Sequence, residues 1–289
     1  MENERENFLG LQKEFSEEAT ARFVVLPIPY ERTTTYVRGT RFGPQAILEA
    51  SQEVELYDEE FGIEAYKTGI CTAPAVDLGR SPEEALEAIH QAISAIAEKG
   101  KTPIALGGEH TVTVGIVRAL AEKYENLTVL HLDAHADLRD EYLGSRLNHA
   151  CTARRLLDLT PVVQVGIRSL SKGEADYVRS QRLTVFYAAD IKGKDRSQEI
   201  VSCLSPDVYI TVDVDVFDSG IMPSVGTPEP GGLDWYDVTG LIRAVAQGRN
   251  IVGCDVVELC PQSENIAPNF LAAKLVYKVI GYIVACAHP

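Results

Sequence analysis

Six side chains of this 289-residue sequence have the types and spacing of a metal site. Asp133, His135 and Asp137 alternate in Asp133-Ala134-His135-Ala136-Asp137, directly behind the apolar run Leu127 to Leu132. On an extended segment the side-chain period is two, so the three are expected to point the same way. Without a cation between them, such groups would repel and desolvate one another. A divalent ion removes that penalty. Downstream, the run Val208 to Val212 ends in Asp213-Val214-Asp215, again two acids on one face. Pro103 to Leu106 ends in Gly107-Gly108-Glu109-His110, and Ile251 to Val257 ends in Glu258. Open parallel sheets bind ligands beyond the carboxyl ends of their strands, so a parallel sheet would gather all four clusters on one edge.

The candidate ligands are His110, Asp133, His135, Asp137, Asp213 and Asp215. Six are too many for a lone zinc, which prefers four. They suit two divalent ions that share one or two carboxylates. Oxygen-rich ligation with two imidazoles and no thiolate points to manganese before zinc or copper. Two metals that share a water generate a hydroxide nucleophile near neutral pH. His149 lies in a polar loop a dozen residues past Asp137. A histidine there has the ordinary pKa of a proton shuttle. Glu258, aimed into the cleft, would grip a planar cation such as guanidinium by a bidentate pair. Singly, a D-x-D or a Gly-Gly-Glu-His is a plain strand end or turn. Three strand ends with the same ligand chemistry are what argue for a site. The remaining histidines carry no assigned chemistry: His131 reads as a core or supporting residue, His90 lies on an amphipathic helix, and His288 is near the chain end.

The elements that must position these residues follow from periodicity. Arg22 to Ile28 reads as the first strand, Tyr30 to Phe42 as a long loop, and Pro44 to Ser51 as a helix. Within the loop, Thr33–Phe42 could reach the cleft of its own or a neighbouring subunit. Val54 to Leu78 offers at most a short edge strand. Ser81-Pro82-Glu83-Glu84 is a capping-box helix start, and Leu86, Ile89, Ile93, Ile96 and Ala97 continue it at helical spacing up to Gly100. Thr111 to Lys123, Cys151 to Leu157, Asp237 to Gln247 and Asn269 to Cys286 read as helices. Val162 to Val165 and Leu183 to Phe186 read as strands. This alternation predicts an α/β fold with a parallel sheet between two helical layers. One domain over 1–289 is expected, with residues 1–20 as a charged N-terminal arm, either loose or a short surface helix. The net charge of −15 argues against a nucleic-acid partner and suits a cationic small molecule. The apolar runs are too short to span a bilayer and the N-terminus lacks a signal-type apolar core, so no membrane partner and a cytoplasmic location are expected. The six cysteines, Cys71, Cys151, Cys203, Cys254, Cys260 and Cys286, form no C-x-x-C pair and read as reduced, mostly buried thiols.

Taken together, the motifs resemble those of the arginase/agmatinase ureohydrolases, most nearly the agmatinases. The matching stretches are Gly107 to His110, Asp133 to Asp137, Asp213 to Asp215, Gly226-Thr227-Pro228-Glu229-Pro230-Gly231-Gly232, Asp255 to Glu258 and Gly39 to Pro44. The similarity runs from about residue 22 to the C-terminus. It implies a three-layer α/β/α, arginase-like fold and a site of two Mn2+, with nickel or iron as other metals. By position, His110, Asp133, Asp137 and Asp213 would hold one ion. Asp133, His135, Asp213 and Asp215 would hold the other, so that Asp133 and Asp213 bridge. Asp137 would also orient the shared hydroxide, His149 would shuttle protons, and Glu258 would bind the guanidinium. The resemblance implies a homotrimer or homohexamer that cleaves a small cationic guanidino compound to urea and an amine. Agmatine giving putrescine is the first expectation, and N1-aminopropylagmatine or guanidinobutyrate the nearest rivals.

There are departures from the family pattern. Glu109 stands where members often have Asp. Ala150-Cys151 replaces the Gly-Thr of many agmatinases, which leaves substrate length and the role of Cys151 open. Arginases grip the α-groups of an amino acid at the places held here by Arg139, Ser169 and Ser171, which argues against arginine. A deacetylase-like amide hydrolase would lack the paired D-x-H-x-D and D-x-D sets. A catalytically silent regulator of a polyamine enzyme would not need the intact ligands.

Overall fold

Eight runs rich in β-branched residues form strands: β1 (Phe23–Ile28), β2 (Ile70–Thr72), β3 (Thr102–Gly107), β4 (Leu127–Leu132), β5 (Val162–Ile167), β6 (Thr184–Tyr187), β7 (Asp207–Asp213) and β8 (Asn250–Val257). A computed structural model describes residues 7–287. All the strands pair in parallel, in the order β2-β1-β3-β8-β7-β4-β5-β6. The central strands are buried along their length, as a sheet covered on both faces requires. Successive residues alternate between two cores. Leu130, Leu132, Ile210 and Val212 join the core under the helices Gly43–Ser51, Trp235–Gly248 and Ala267–Ala285. Leu127, Val129 and Tyr209 join the core under Pro82–Glu98 and Val112–Lys123. This is the expected three-layer α/β/α arrangement.

The four strands that end in candidate site residues, β3, β8, β7 and β4, are neighbours at the centre of the sheet. Their register aligns Leu106 with Val256, Asp213 with Val257, and Leu132 with Val212. All four therefore run out at one level, and the residues that follow meet above the same edge.

Two expectations need correction. Residues 7–20 are not a loose arm. Phe8, Leu9 and Leu11 are buried, Phe8 N–H donates to Thr72 Oγ1 (2.8 Å), and Leu9 N–H donates to Ser51 Oγ (2.8 Å). The apolar Phe8-Leu9-Gly10-Leu11 in an otherwise charged stretch drives this packing; the short surface helix Lys13–Ser16 beyond it has no fully buried residue and rests Phe15 edge-on against Tyr66 at 5.0 Å. Residues 1–6 of the expected arm, and His288, lie outside the described residues. The helix Lys172–Gln181 was not anticipated, because it has almost no apolar stripe; only Glu174 and Val178 are buried. It starts on a capping box between Ser171 and Glu174, a signal present in the sequence. The cysteines are all free, with Cys71, Cys151, Cys254 and Cys260 buried and Cys203 exposed. Among the described residues, no helix is long and apolar enough to cross a membrane.

Candidate metal centre

β4 stops at Leu132, and Asp133 keeps one ladder bond, its N–H to the Val165 carbonyl. The chain then leaves the sheet, so Asp133, His135 and Asp137 do not converge by two-residue alternation on an extended segment as expected. Asp137 takes a left-handed backbone (φ 52°), which a short polar side chain tolerates. That turn returns its carboxylate to the others. His110 Nδ1 lies 3.1 Å from Asp133 Oδ2, 3.5 Å from Asp137 Oδ2 and 3.4 Å from Asp213 Oδ2. Asp213 closes β7, while Asp215 sits in the 3-10 turn Val214–Val216, so the D-x-D pair also converges by a turn. Asp215 N–H donates to Asp213 Oδ1 (2.9 Å), and Asp215 Oδ1 accepts from Ala134 N–H (2.9 Å). His135 Nδ1 is 2.8 Å from Asp215 Oδ2 and 3.7 Å from Asp133 Oδ1. The fold thus brings all six candidates together, and Asp133 belongs to both of the groups whose ligand atoms lie within 4.8 Å of one another.

The charges are badly matched without a cation. Burial, then the charges of Asp213, Asp215 and Asp137, pushes the Asp133 carboxyl well above the usual range. Burial and Asp215 do the same to Asp213, and burial raises Asp137 to about 7. Burial would also raise Asp215, but the charge and hydrogen bond of His135 more than offset it and hold that carboxyl low. Burial alone would lower the His135 imidazole; Asp215 overcomes this and lifts it to about 10.

The hydrogen bonds behind the ligands indicate which atoms are offered. Thr211 Oγ1 donates to the buried Asp255 (2.5 Å), which also accepts from Tyr209 Oη and Thr113 Oγ1. With its proton committed, Thr211 must accept from His110 Nε2 (2.9 Å). His110 Nδ1 therefore presents a lone pair toward three carboxylates. Nδ1 and Asp133 Oδ2 are buried with no hydrogen-bond partner among the described residues. Opposed lone pairs in a buried nest are what a bound cation satisfies, so the donor set fits a hard divalent metal. His131 is also close, with Nε2 3.3 Å from Asp133 Oδ2 and its ring stacked on His110 at 4.9 Å. Gln164 Nε2 lies 3.3 Å from His131 Nδ1 and donates to the Ala136 carbonyl. That casts Nδ1 as the acceptor and turns Nε2, which has no hydrogen-bond partner among the described residues, toward Asp133 within the cluster of groups that could hold a metal.

Above the nest opens a cleft of about 330 Å³. His135, Asp137, His149, Asp213, Asp215 and Glu258 line it. Glu258 has φ 64°, and its Oε1 accepts from His110 N–H (2.7 Å). Burial, then Asp213 and Glu109, pushes its carboxyl well up, so a bound cation is the partner it lacks. His149 is half-buried, and burial lowers its imidazole against the opposing charge of Glu109. Thr34, Thr35 and Tyr36 reach the cleft of their own chain. Arg139, Ser169 and Ser171 line it too, as does Glu174, whose Oε1 accepts from Leu138 N–H. Cys151 is buried beside the Ser145 carbonyl, outside the lining, with its thiol raised by burial to about 11.

Several residues of this site carried no function in the sequence reading. Glu109 collects the donors of the Arg32–Thr34 loop. Arg168 binds the carbonyls of Asp215, Phe217 and Glu229, joining the D-x-D turn to the Gly226–Gly232 loop. Gly108 is required by close approach, since a Cβ there would lie 1.9 Å from the Tyr30 carbonyl oxygen.

A doubly wound parallel sheet with a carboxylate–imidazole nest at its carboxyl edge is the frame of a metal-dependent hydrolase. The arginase family model matches residues 21–281, and the chain belongs to that family. It is 42% identical to an N(1)-aminopropylagmatine ureohydrolase of Synechocystis sp., over 91% of this chain and 90% of the relative. It is 35% identical to an agmatinase of Pyrococcus horikoshii, over 90% and 92%. The solved agmatine ureohydrolase of Thermoplasma volcanium superposes with a TM-score of 0.87 at 33% identity, covering 97% of this chain and 94% of that one.

Proposed function

We propose that the chain hydrolyses the guanidino group of agmatine, or of agmatine extended by an aminopropyl group, to urea and a primary amine. The observation that carries this is Glu258, a buried carboxylate without a cationic partner among the described residues, on the wall of a cleft floored by the ligand nest. His110, Asp133, Asp137 and Asp213 would hold one divalent ion, and Asp133, His135, Asp213 and Asp215 the other, manganese being the best match to these donors. When bound, two such ions lower the pKa of a shared water and so supply the nucleophile. The residues of the chain do the rest. Glu258 takes the guanidinium and turns its carbon toward the nest. Asp137 accepts a hydrogen bond from the attacking water and orients it. As the tetrahedral carbon collapses, His149 gives a proton to the leaving amine.

Agmatine is the simplest substrate for this site. The 42% and 40% identities to ureohydrolases named for N(1)-aminopropylagmatine favour the extended substrate as a second reading. Arg139, Ser169 and Ser171 on the cleft wall stand where arginases grip the α-groups of an amino acid, which disfavours arginine. A single domain, a homotrimeric or homohexameric assembly and a cytoplasmic location complete the proposal. The test is urea release by manganese-loaded protein from agmatine, N1-aminopropylagmatine, guanidinobutyrate and arginine, side by side. Urea from the first two above the others is expected. No urea from any of the four overturns the reading.

A further inference from the structure

Glu109 is fully buried and receives only donors. Arg32 N–H (2.6 Å) and Thr33 N–H (2.7 Å) reach Oε2, with the N–H and hydroxyl of Thr34 further out at 3.3 Å. The hydroxyls of Thr33 (2.6 Å) and Thr111 (2.7 Å) reach Oε1. Oε2 accepts from the two close backbone N–H groups and both hydroxyls are directed to Oε1, so Glu109 acts as an acceptor at both. Thr33 is the link from this hub to the cleft. Its hydroxyl owns one proton and two lone pairs. The proton goes to the carboxylate, the nearer and charged acceptor. One lone pair accepts from the backbone N–H of His149 (3.0 Å). The other faces His149 Nδ1 at 3.1 Å, and it can only accept there.

We infer that Glu109, acting through Thr33, fixes His149 as the Nδ1–H tautomer and thereby turns a bare Nε2 to the cleft. This rests on the functional reading above only for what Nε2 then does. Nε2 picks up a proton from cleft water and passes it to the leaving amine, while Nδ1–H stays on Thr33. During the cationic stage, the charge of the imidazolium is met through the Thr33 hydroxyl by the Glu109 carboxylate. Both are positioning residues, because neither lines the cleft.

Glu109→Gln discriminates this role from packing. The three loop N–H donors keep the amide oxygen on the Oε2 side, which places the amide NH2 against Thr33. Thr33 must then accept from it and donate to Nδ1, which inverts the tautomer. The test is 15N NMR of selectively labelled histidine with urea kinetics, on wild type, Glu109→Gln, Thr33→Val and Thr33→Ser. The inference expects wild-type His149 to show a protonated Nδ1 and bare Nε2, and Glu109→Gln to exchange the two signals. It expects kcat to fall about 10²-fold in Glu109→Gln and Thr33→Val, the usual worth of a positioned acid-base group. Thr33→Ser should restore most of that rate. Should Glu109→Gln fail to fold, Thr33→Val, nearly isosteric, still decides. Wild-type signals and rate in Thr33→Val, or Nε2–H in the wild type, overturn the inference. Absence of urea in the wild type overturns the functional reading instead, and the imidazole spectra still judge this one.

Discussion

The hydroxyl of Thr211 decides which nitrogen His110 offers, because its own proton is held by Asp255. In Thr211→Val the His110 ring loses this restraint, and Asp255 loses one of its three side-chain donors. Manganese affinity is expected to fall roughly 10–100-fold, the usual cost of removing such a supporting contact. Calorimetric titration with manganese would measure it, and unchanged affinity would discard the assigned tautomer. Glu258 faces the cleft instead of the interior, so its effect should be on substrate. Glu258→Gln replaces a charged hydrogen-bond acceptor for guanidinium with a neutral one. Hydrogen bonds to charged groups are worth about 1.5–3 kcal/mol, so kcat/KM for agmatine should drop roughly 10–100-fold. The metal content should stay the same. A variant that loses metal together with rate would place Glu258 among the ligands.

At the scale of elements, the C-terminal helix Ala267–Ala285 is pinned by one buried cation. Lys278 Nζ lies 3.0 Å from Asp58 and 3.3 Å from Glu60, and Glu60 also accepts from Tyr282 and Arg243. Burial would lower the lysine pKa, but Asp58 and Glu60 hold it above its ordinary value. Burial likewise opposes ionisation of Glu60, yet its three donors hold it below 4.5. A raised lysine stabilises the fold below its ordinary pKa and stops doing so as pH rises through the folded value. A lowered glutamate stabilises above its ordinary pKa and is lost as pH falls. Acid should therefore weaken this tie below about pH 4.5. Lys278→Met leaves Asp58 buried without its cation and should destabilise by about 3–5 kcal/mol at neutral pH, with a flatter loss in acid. Denaturant melts at pH 7 and pH 4 would show it, and equal slopes would refute the assignment. Elements of this kind were legible wherever a hydrophobic period ran long: the four central strands that end at the site and the helices Pro82–Glu98 and Ala267–Ala285 stand where periodicity puts them. The helix Lys172–Gln181 was not, because its stability lies in a cap and not in a stripe. The six candidate ligands were legible as residue types at strand ends. Their convergence was read for the wrong reason, since the turn at Asp137 is held by the bonds of Ala136 N–H to the Ser169 carbonyl and of Arg154 N–H to the Asp137 carbonyl, and the turn Val214–Val216 by Ala134 N–H. Glu109 and Thr33 were missed because nothing local announces a contact across 76 residues.

For the whole molecule, the carboxylate–imidazole nest is a liability that a bound metal would turn into stability. Two neighbouring strand ends at the centre of one sheet, those of β4 and β7, deliver four acids to a single point, and burial makes those charges costly. The sheet cannot relax by moving one strand, because each is paired on both sides. Divalent ions that bind the folded state alone must therefore stabilise the entire sheet by mass action. At a hundredfold excess over Kd each ion contributes about 2.7 kcal/mol, which amounts to several degrees in Tm for a chain of this size. Manganese added to chelator-treated protein should raise Tm progressively with concentration, and the rise should be strongly reduced in Asp133→Asn, which removes the carboxylate common to both ligand groups. Calorimetric scans over a manganese series would follow this. Identical melting with and without the metal would mean that the nest is closed by protons, and that the acids of these strand ends do not serve as ligands.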